Sequence, residues 1–183
     1  MKLEKNQYDL NCIDSKTKYI TAHLFVEKRS LSKCVDFLNQ IKITCYDQIL
    51  KRYEQNKKII FVSDGFENYR NAFNKLFFRV AKLTFGVPIS YHKYGLQHNN
   101  NPIERENGNI KDRIKIMRGG FGSFHGAKGF LNMRRVIHNF VNPHQGLKER
   151  TPAEEADINL NLKRNKLLKL IQKMAKKKHH SLR

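Results

Sequence analysis

Two acidic residues of this sequence occupy positions that suit metal-assisted chemistry. Asp64 follows the apolar run Ile59–Val62 after one intervening serine, so we expect it at the C-terminal end of a strand, where ligands gather in open α/β sheets. Glu104 comes three residues after Asn101, at the start of a predicted helix. Carboxylates that converge near nucleic acid can hold Mg²⁺ for phosphoryl transfer. Each residue also has a structural interpretation, Asp64 as a turn former and Glu104 as part of a capping box.

The charge of the chain indicates a polyanionic partner. Its 183 residues include 36 Lys and Arg against 16 Asp and Glu, a formal net charge of +20. This excess favours nucleic acid over a membrane surface. The three cysteines form no CxxC pair, which favours free thiols in a reducing cytosol. No apolar run reaches signal-peptide or membrane-spanning length, so we expect a soluble, intracellular protein without a membrane partner.

Hydrophobic periodicity predicts the elements that position the two carboxylates. Apolar runs and turn residues favour strands, and apolar residues at three- or four-residue steps favour helices. The first predicted elements are a hairpin over Tyr8–Val26 with its turn at 14–16, a helix from the N-cap Ser30 to about Glu54, and a strand buried on both faces at Ile59–Val62. A helix over Tyr69–Phe77 and a short strand around Val87–Tyr91 follow. The next helix has Asn101 as its N-cap and a buried stripe through Ile103, Ile110, Ile114 and Met117. Strands followed by helices predict an α/β fold with a mixed sheet.

The C-terminal third is predicted to be mainly helical and basic. The glycine-rich run Arg118–Gly129 lacks both nucleotide-binding spacings and is predicted as a flexible loop, with phosphate contact as the alternative. A helix over about Ala127–Val141 and a capping box at Thr151–Glu154 follow. Beyond Asp157 no acidic residue occurs, and the remaining tail is predicted to form a basic amphipathic helix. That helix is open to three interpretations: a solvated helix, a DNA-backbone contact, or a helix that docks on a partner or membrane surface.

Three stretches together resemble one family: FVSDGFENYRNAF, NNNPIERENGNIKDR and NFVNPHQGLKERTPAEEA. In this order they are similar to motifs of the DDE-type transposases of prokaryotic insertion sequences. The resemblance implies a ribonuclease H-like catalytic core over residues 1–158, with 159–183 as a basic C-terminal helix. It also implies an Asp-Asp-Glu triad that binds two Mg²⁺ or Mn²⁺ ions, nicks transposon ends and joins them to target DNA. A homodimer or larger assembly in the prokaryotic cytoplasm, associated with the nucleoid, is expected with it.

The resemblance transfers roles to individual residues. Asp64 corresponds to the second catalytic aspartate and Glu104 to the catalytic glutamate, both as metal ligands, while Lys111 matches a basic residue that contacts DNA. On a helical wheel Lys111 lies within ~20° of Glu104. Glu106 would suit the wheel equally well, but the NNxxE arrangement favours Glu104. Further DNA contacts are expected from the neighbouring basic residues Arg105, Arg113, Lys115 and Arg118.

One part of the family pattern is not found. The first catalytic aspartate belongs on a strand before the predicted hairpin, and Met1 falls where that strand should already be under way. Asp9, in the first predicted strand, and Asp14, in the turn, are the alternatives within this chain. We therefore expect an N-terminally truncated or split transposase with impaired activity. The alternatives are an inactive DNA-binding remnant and a nuclease of the same fold that only hydrolyses DNA.

Overall fold

The computed structural model describes residues 7–85, 101–116 and 121–180, and it confirms a mixed α/β chain. The strands are β1 (Tyr8–Ile13), β2 (Ile20–Val26), β3 (Ile59–Ser63) and β4 (Ala81–Phe85). The helices are α1 (Leu31–Glu54), α2 (Glu67–Phe77), α3 (Asn101–Ile116), α4 (Phe124–Phe140), α5 (Pro152–Glu155) and α6 (Lys166–His180), with a 3₁₀ turn at Gln145–Leu147 before α5.

The described strands form two separate two-stranded sheets. β1 and β2 pair as an antiparallel hairpin, and β3 and β4 pair in parallel, with Ile59 opposite Ala81 and Ser63 opposite Phe85. Helix α2 connects β3 to β4, as a parallel pair requires a crossover. Both strands of the parallel pair therefore end at the same edge, where Asp64 follows β3.

The chain divides into two compact units. The first contains residues up to Ile13 and Thr21–Phe124, and the second contains Asp14–Ile20 and residues from His125 onward. The first unit has an apolar core drawn from the hairpin, α1, α2 and β4. Its fully or almost fully buried members are Leu10, Ala22, Val26, Cys34, Phe37, Leu38, Ile41, Ile49, Ala72, Phe73, Phe77 and Ala81.

In the second unit, the hairpin turn is held against α4 by polar contacts. The buried Asn139 side chain accepts from Ile20 N at 2.9 Å and donates to Ile20 O at 3.0 Å, which replaces two strand hydrogen bonds. His138 Nε2 lies 2.8 Å from Lys18 O. The turn itself is closed by Asp14, whose Oδ2 accepts from Thr17 N and Oγ1. Asp14 therefore has the turn-forming role that the sequence predicts.

The C-terminal part of the second unit is built from capped helices. The predicted capping box is confirmed, since Thr151 and Glu154 exchange side-chain and backbone hydrogen bonds at the start of α5. Hydrogen bonds from Lys166 and Thr151 hold the pKa of Glu154 below its usual range. The predicted basic helix is present as α6, but it begins only at Lys166, and residues 158–165 are not helical. Its Leu170 is buried, while its exposed large apolar residues are Leu167, Leu168, Ile171 and Met174.

Helix α1 matches its prediction at both ends. Ser30 is the N-cap and accepts from Lys33 N, and the helix runs to Glu54. The prediction is accurate because a long amphipathic pattern and a favoured cap agree.

Several other predictions require correction. The glycine-rich run is not a loop throughout, because α4 begins inside it at Phe124; burial of Ala127 and Leu131 outweighs the poor helix propensity of glycine. The sequence did not predict strand β4. The short strand expected around Val87–Tyr91 lies outside the described residues. Strand β3 is not buried on both faces, since Ile60 is 43% exposed. Side chains alternate along a strand, and only the face carrying Phe61 meets the aromatic core.

Thiol labelling should separate the three cysteines. None of the three forms a disulfide; Cys34 is fully buried, whereas Cys12 and Cys45 are partly exposed. Burial raises the pKa of the Cys34 thiol to about 11, so roughly one thiol in a thousand is ionised at pH 8. We expect an aromatic disulfide reagent to label Cys12 and Cys45 quickly and Cys34 only on unfolding. Cys34→Ala should remove the slow phase alone, and a slow phase that persists in this variant would contradict the assignment.

Candidate functional site

Asp64 lies where the sequence predicts, immediately after β3. Gly65 follows with φ of +84°, a conformation that favours glycine and turns the chain towards α2. Asp64 Oδ1 accepts from Phe66 N at 3.3 Å, so the residue also has its turn-forming role. Its side chain is nevertheless 56% exposed, which leaves the carboxylate accessible to an external ligand.

An arginine that the sequence analysis did not single out stands beside this carboxylate. Arg29 Nη1 lies 3.6 Å from Asp64 Oδ2, and the Arg29 side chain is 30% exposed. Its guanidinium carbon lies 4.9 Å from the Tyr8 ring centroid and 4.2 Å from that of Phe66. Asn68 Nδ2 in α2 donates to the Arg29 carbonyl at 2.9 Å. Contacts with Tyr8, Phe66 and Asn68 therefore fix Arg29 next to Asp64.

The two candidate glutamates of α3 differ in solvent exposure. The helix begins at Asn101, one residue earlier than predicted, because Asn101 was expected to be the N-cap that precedes the first helical residue. Glu104 is exposed in the first turn. Glu106 is only 4% exposed, and its Oε2 accepts from Asn109 Nδ2 at 3.4 Å. A ligand for an ion shared with DNA must be reachable from solvent, and Glu104 meets this condition better than Glu106 does.

The predicted DNA contacts on α3 are also accessible. Its exposed basic residues are Arg105, Lys111, Arg113 and Lys115. Lys115 pairs with Asp112 at 3.2 Å on the helix surface, an exposed interaction of little energetic weight. Arg118 lies outside the described residues, as does Met117 of the predicted apolar stripe. Ile110 of the predicted stripe is buried.

No complete metal centre is assembled by the described residues. Among them there is no group of three or more His, Cys, Asp and Glu side chains placed to hold a metal ion. The recorded contacts of Asp64 are with Arg29 and the backbone of Phe66. The pairing of Asp64 with Glu104 in one site stays a prediction.

Asp9, the alternative for the first catalytic aspartate, lies in a buried polar pair. Its Oδ1 is 2.6 Å from His23 Nε2 on the neighbouring strand, and the two side chains are 1% and 3% exposed, respectively. Asn11 Nδ2 donates to the other carboxylate oxygen at 2.7 Å. Such enclosure suits a structural carboxylate better than one that binds an ion from solution. The sequence analysis did not identify His23 as its partner.

Comparisons with protein-family models, with curated proteins and with solved structures found no match. Any family assignment therefore depends on the three sequence motifs and on the geometry described above. Within residues 7–85, 101–116 and 121–180, no helix has both the length and the apolar character needed to cross a membrane.

Proposed function

We propose that this chain is the catalytic region of a DDE-type transposase, with a ribonuclease H-like fold, that binds and cuts DNA. The observation that carries the proposal is the exposed carboxylate of Asp64 at the C-terminal edge of the parallel pair β3–β4. This edge of an open α/β unit is the usual place for a ligand site. The net charge of +20 supports a DNA partner.

Asp64 and Glu104 are the proposed metal ligands. Both are exposed carboxylates, the ligand type that Mg²⁺ and Mn²⁺ prefer. A bound pair of such ions would activate the attacking oxygen and stabilise the leaving oxygen of a phosphodiester. Asp64 is held in orientation by the Phe66 backbone N–H. Exposed basic residues of α3, including Lys111, would bind the adjacent DNA backbone and hold it in register.

A DNA-binding protein without catalytic activity is the second candidate. It is favoured because the described part of the chain holds no group of three or more His, Cys, Asp and Glu side chains placed to hold a metal ion. Two carboxylates alone hold Mg²⁺ less firmly than three, because affinity depends on ligand charge and ordered geometry. The two candidates share DNA binding and differ in cleavage.

Nicking of supercoiled plasmid in Mg²⁺ or Mn²⁺ tests the proposal. We expect conversion to open circles that requires the metal and stops in EDTA. Asp64→Asn and Glu104→Gln should each reduce the rate at least tenfold, because each removes a metal-binding charge. Joining of a labelled duplex with a free 3′-hydroxyl to the plasmid would distinguish strand transfer from hydrolysis.

Asp112→Asn is the matched control, since Asp112 is an exposed carboxylate of the same helix that pairs with Lys115. It should leave the nicking rate unchanged. Glu106→Gln tests the other glutamate, and a loss restricted to this variant would transfer the metal-binding role from Glu104 to Glu106. DNA binding without metal-dependent nicking would support the inactive candidate, and nicking unaffected by Asp64→Asn would refute the proposed site.

A further inference from the structure

The guanidinium of Arg29 is held by aromatic rings rather than by hydrogen bonds. It lies between Tyr8 at 4.9 Å and Phe66 at 4.2 Å, and the structure records no hydrogen bond from its nitrogens to any described residue. Its contact with Asp64, at 3.6 Å, exceeds normal hydrogen-bond length. A guanidinium carries five N–H donors, so this group is fixed in place while none of its donors is bound by a described residue.

An open cavity borders this guanidinium. It has a volume of about 280 Å³ and is lined by Tyr8, Glu27, Lys28, Arg29 and Phe66. This space is equivalent to roughly nine water molecules at about 30 Å³ each, more than one phosphate group requires. Two cationic residues against one anionic residue give the lining a net positive charge.

We propose that Arg29 binds a backbone phosphate of DNA in this cavity, directly beside Asp64. The inference deepens the proposed function and rests on it. A planar guanidinium with free donors matches the oxygens of a phosphate in a two-point contact. Its positive charge would also offset the repulsion that Asp64 exerts on an approaching phosphate. Because the rings already restrain the side chain, binding costs less rotamer entropy than an unrestrained arginine would lose.

A purely structural role for Arg29 predicts different behaviour. Arg29 follows β2, while Asp64 and Phe66 follow β3, so the contacts link the ends of strands from the two sheets. If this link were its whole role, removing Arg29 would lower stability and leave DNA affinity of the folded protein unchanged. The test therefore measures DNA binding under conditions in which the variant is shown to be folded.

The first measurement is fluorescence anisotropy of a short labelled duplex, titrated with the full chain in EDTA at several salt concentrations. Each phosphate contact adds about 0.9 to the slope of log affinity against log salt. Arg29→Gln should reduce this slope by about 0.9 and lower the affinity about eightfold at 0.1 M salt. Its circular dichroism spectrum and thermal unfolding show whether it is folded at the assay temperature.

Arg79→Gln is the matched control. Arg79 also lies over an aromatic ring, Phe78, at 5.7 Å, but it precedes β4 and so lies at the edge of the parallel pair opposite Asp64. This variant should keep the wild-type slope. A folded Arg29→Gln protein with the same slope and affinity as Arg79→Gln would overturn the proposal.

Protection from an arginine-specific reagent gives a local readout. Bound DNA should slow phenylglyoxal modification of Arg29 at least tenfold, measured by peptide mass spectrometry, and should not protect Arg79. If bound DNA protected Arg29 and Arg79 equally, or did not protect Arg29, the result would count against the phosphate contact. These assays use no metal, so a chain that binds DNA through Arg29 but never nicks it separates this inference from the proposed catalysis. A chain that binds no DNA would refute both.

Discussion

Asp9→Ala should lower the free energy of unfolding by about 3–5 kcal/mol, the cost of leaving one partner of a buried polar pair alone. The Asp9 and His23 side chains are 1% and 3% exposed and lie 2.6 Å apart. Without the carboxylate, the imidazole keeps its buried position, since residue 23 lies in the middle of β2, but it loses its acceptor. Urea unfolding followed by circular dichroism measures the change.

A double-mutant cycle separates the pair from its surroundings. Asp9→Leu with His23→Leu replaces both polar groups, so we expect the double variant to be more stable than the sum of the single losses predicts. Asp36→Ala is the surface control, because Asp36 is half exposed in its ion pair with Lys33 and should cost less than about 1 kcal/mol. Additive losses at Asp9 and His23 would show that the pair is not coupled.

Phe77→Ala should destabilise the first unit by about 3–5 kcal/mol through the cavity it leaves. Phe77 is fully buried, with its ring centroid 5.3 Å from that of Phe61 and 5.5 Å from that of Phe73. These three rings join α2 to β3, so the loss should affect the parallel pair directly. Urea unfolding is again the measurement, with the midpoint and slope fitted together.

The adjacent residue supplies the control for this prediction. Phe78 is 65% exposed, and Phe78→Ala should change the free energy of unfolding by no more than about 0.5 kcal/mol. Two phenylalanines next to each other in sequence then differ only in environment. Equal losses for the two variants would mean that the rings of Phe61, Phe73 and Phe77 do not form a stabilising core.

Local sequence signals predicted the elements that depend on local interactions. The periodicity of α1, its Ser30 cap and the Thr151 capping box all involve residues within one helix or its first turn. The apolar run before Asp64 placed that residue correctly at a strand end. Such features are readable because the stabilising contacts lie within a few positions of each other.

Features that depend on distant partners were not predictable in this way. Strand β4 has the sequence AKLTF, with the exposed Lys82 in it, and it is defined by pairing with β3 rather than by its composition. The site around Arg29 draws Tyr8 and Phe66 from separate elements. The sequence shows only that Arg29 directly precedes the N-cap Ser30, and this position does not reveal the ring contacts. For the same reason, the sequence did not predict the pairing of Asp9 with His23.

The two hydrogen bonds between Ile20 and Asn139 have a consequence for the order of folding. They join residues 119 positions apart, whereas Ile59 and Ala81, which pair across β3 and β4, are only 22 positions apart. Loop closure costs more entropy as the loop lengthens, and contacts between distant residues slow folding. During synthesis the β3–α2–β4 segment is complete and able to fold before α4, the partner of the hairpin turn, has been made. The second unit is therefore expected to form after the β3–α2–β4 segment.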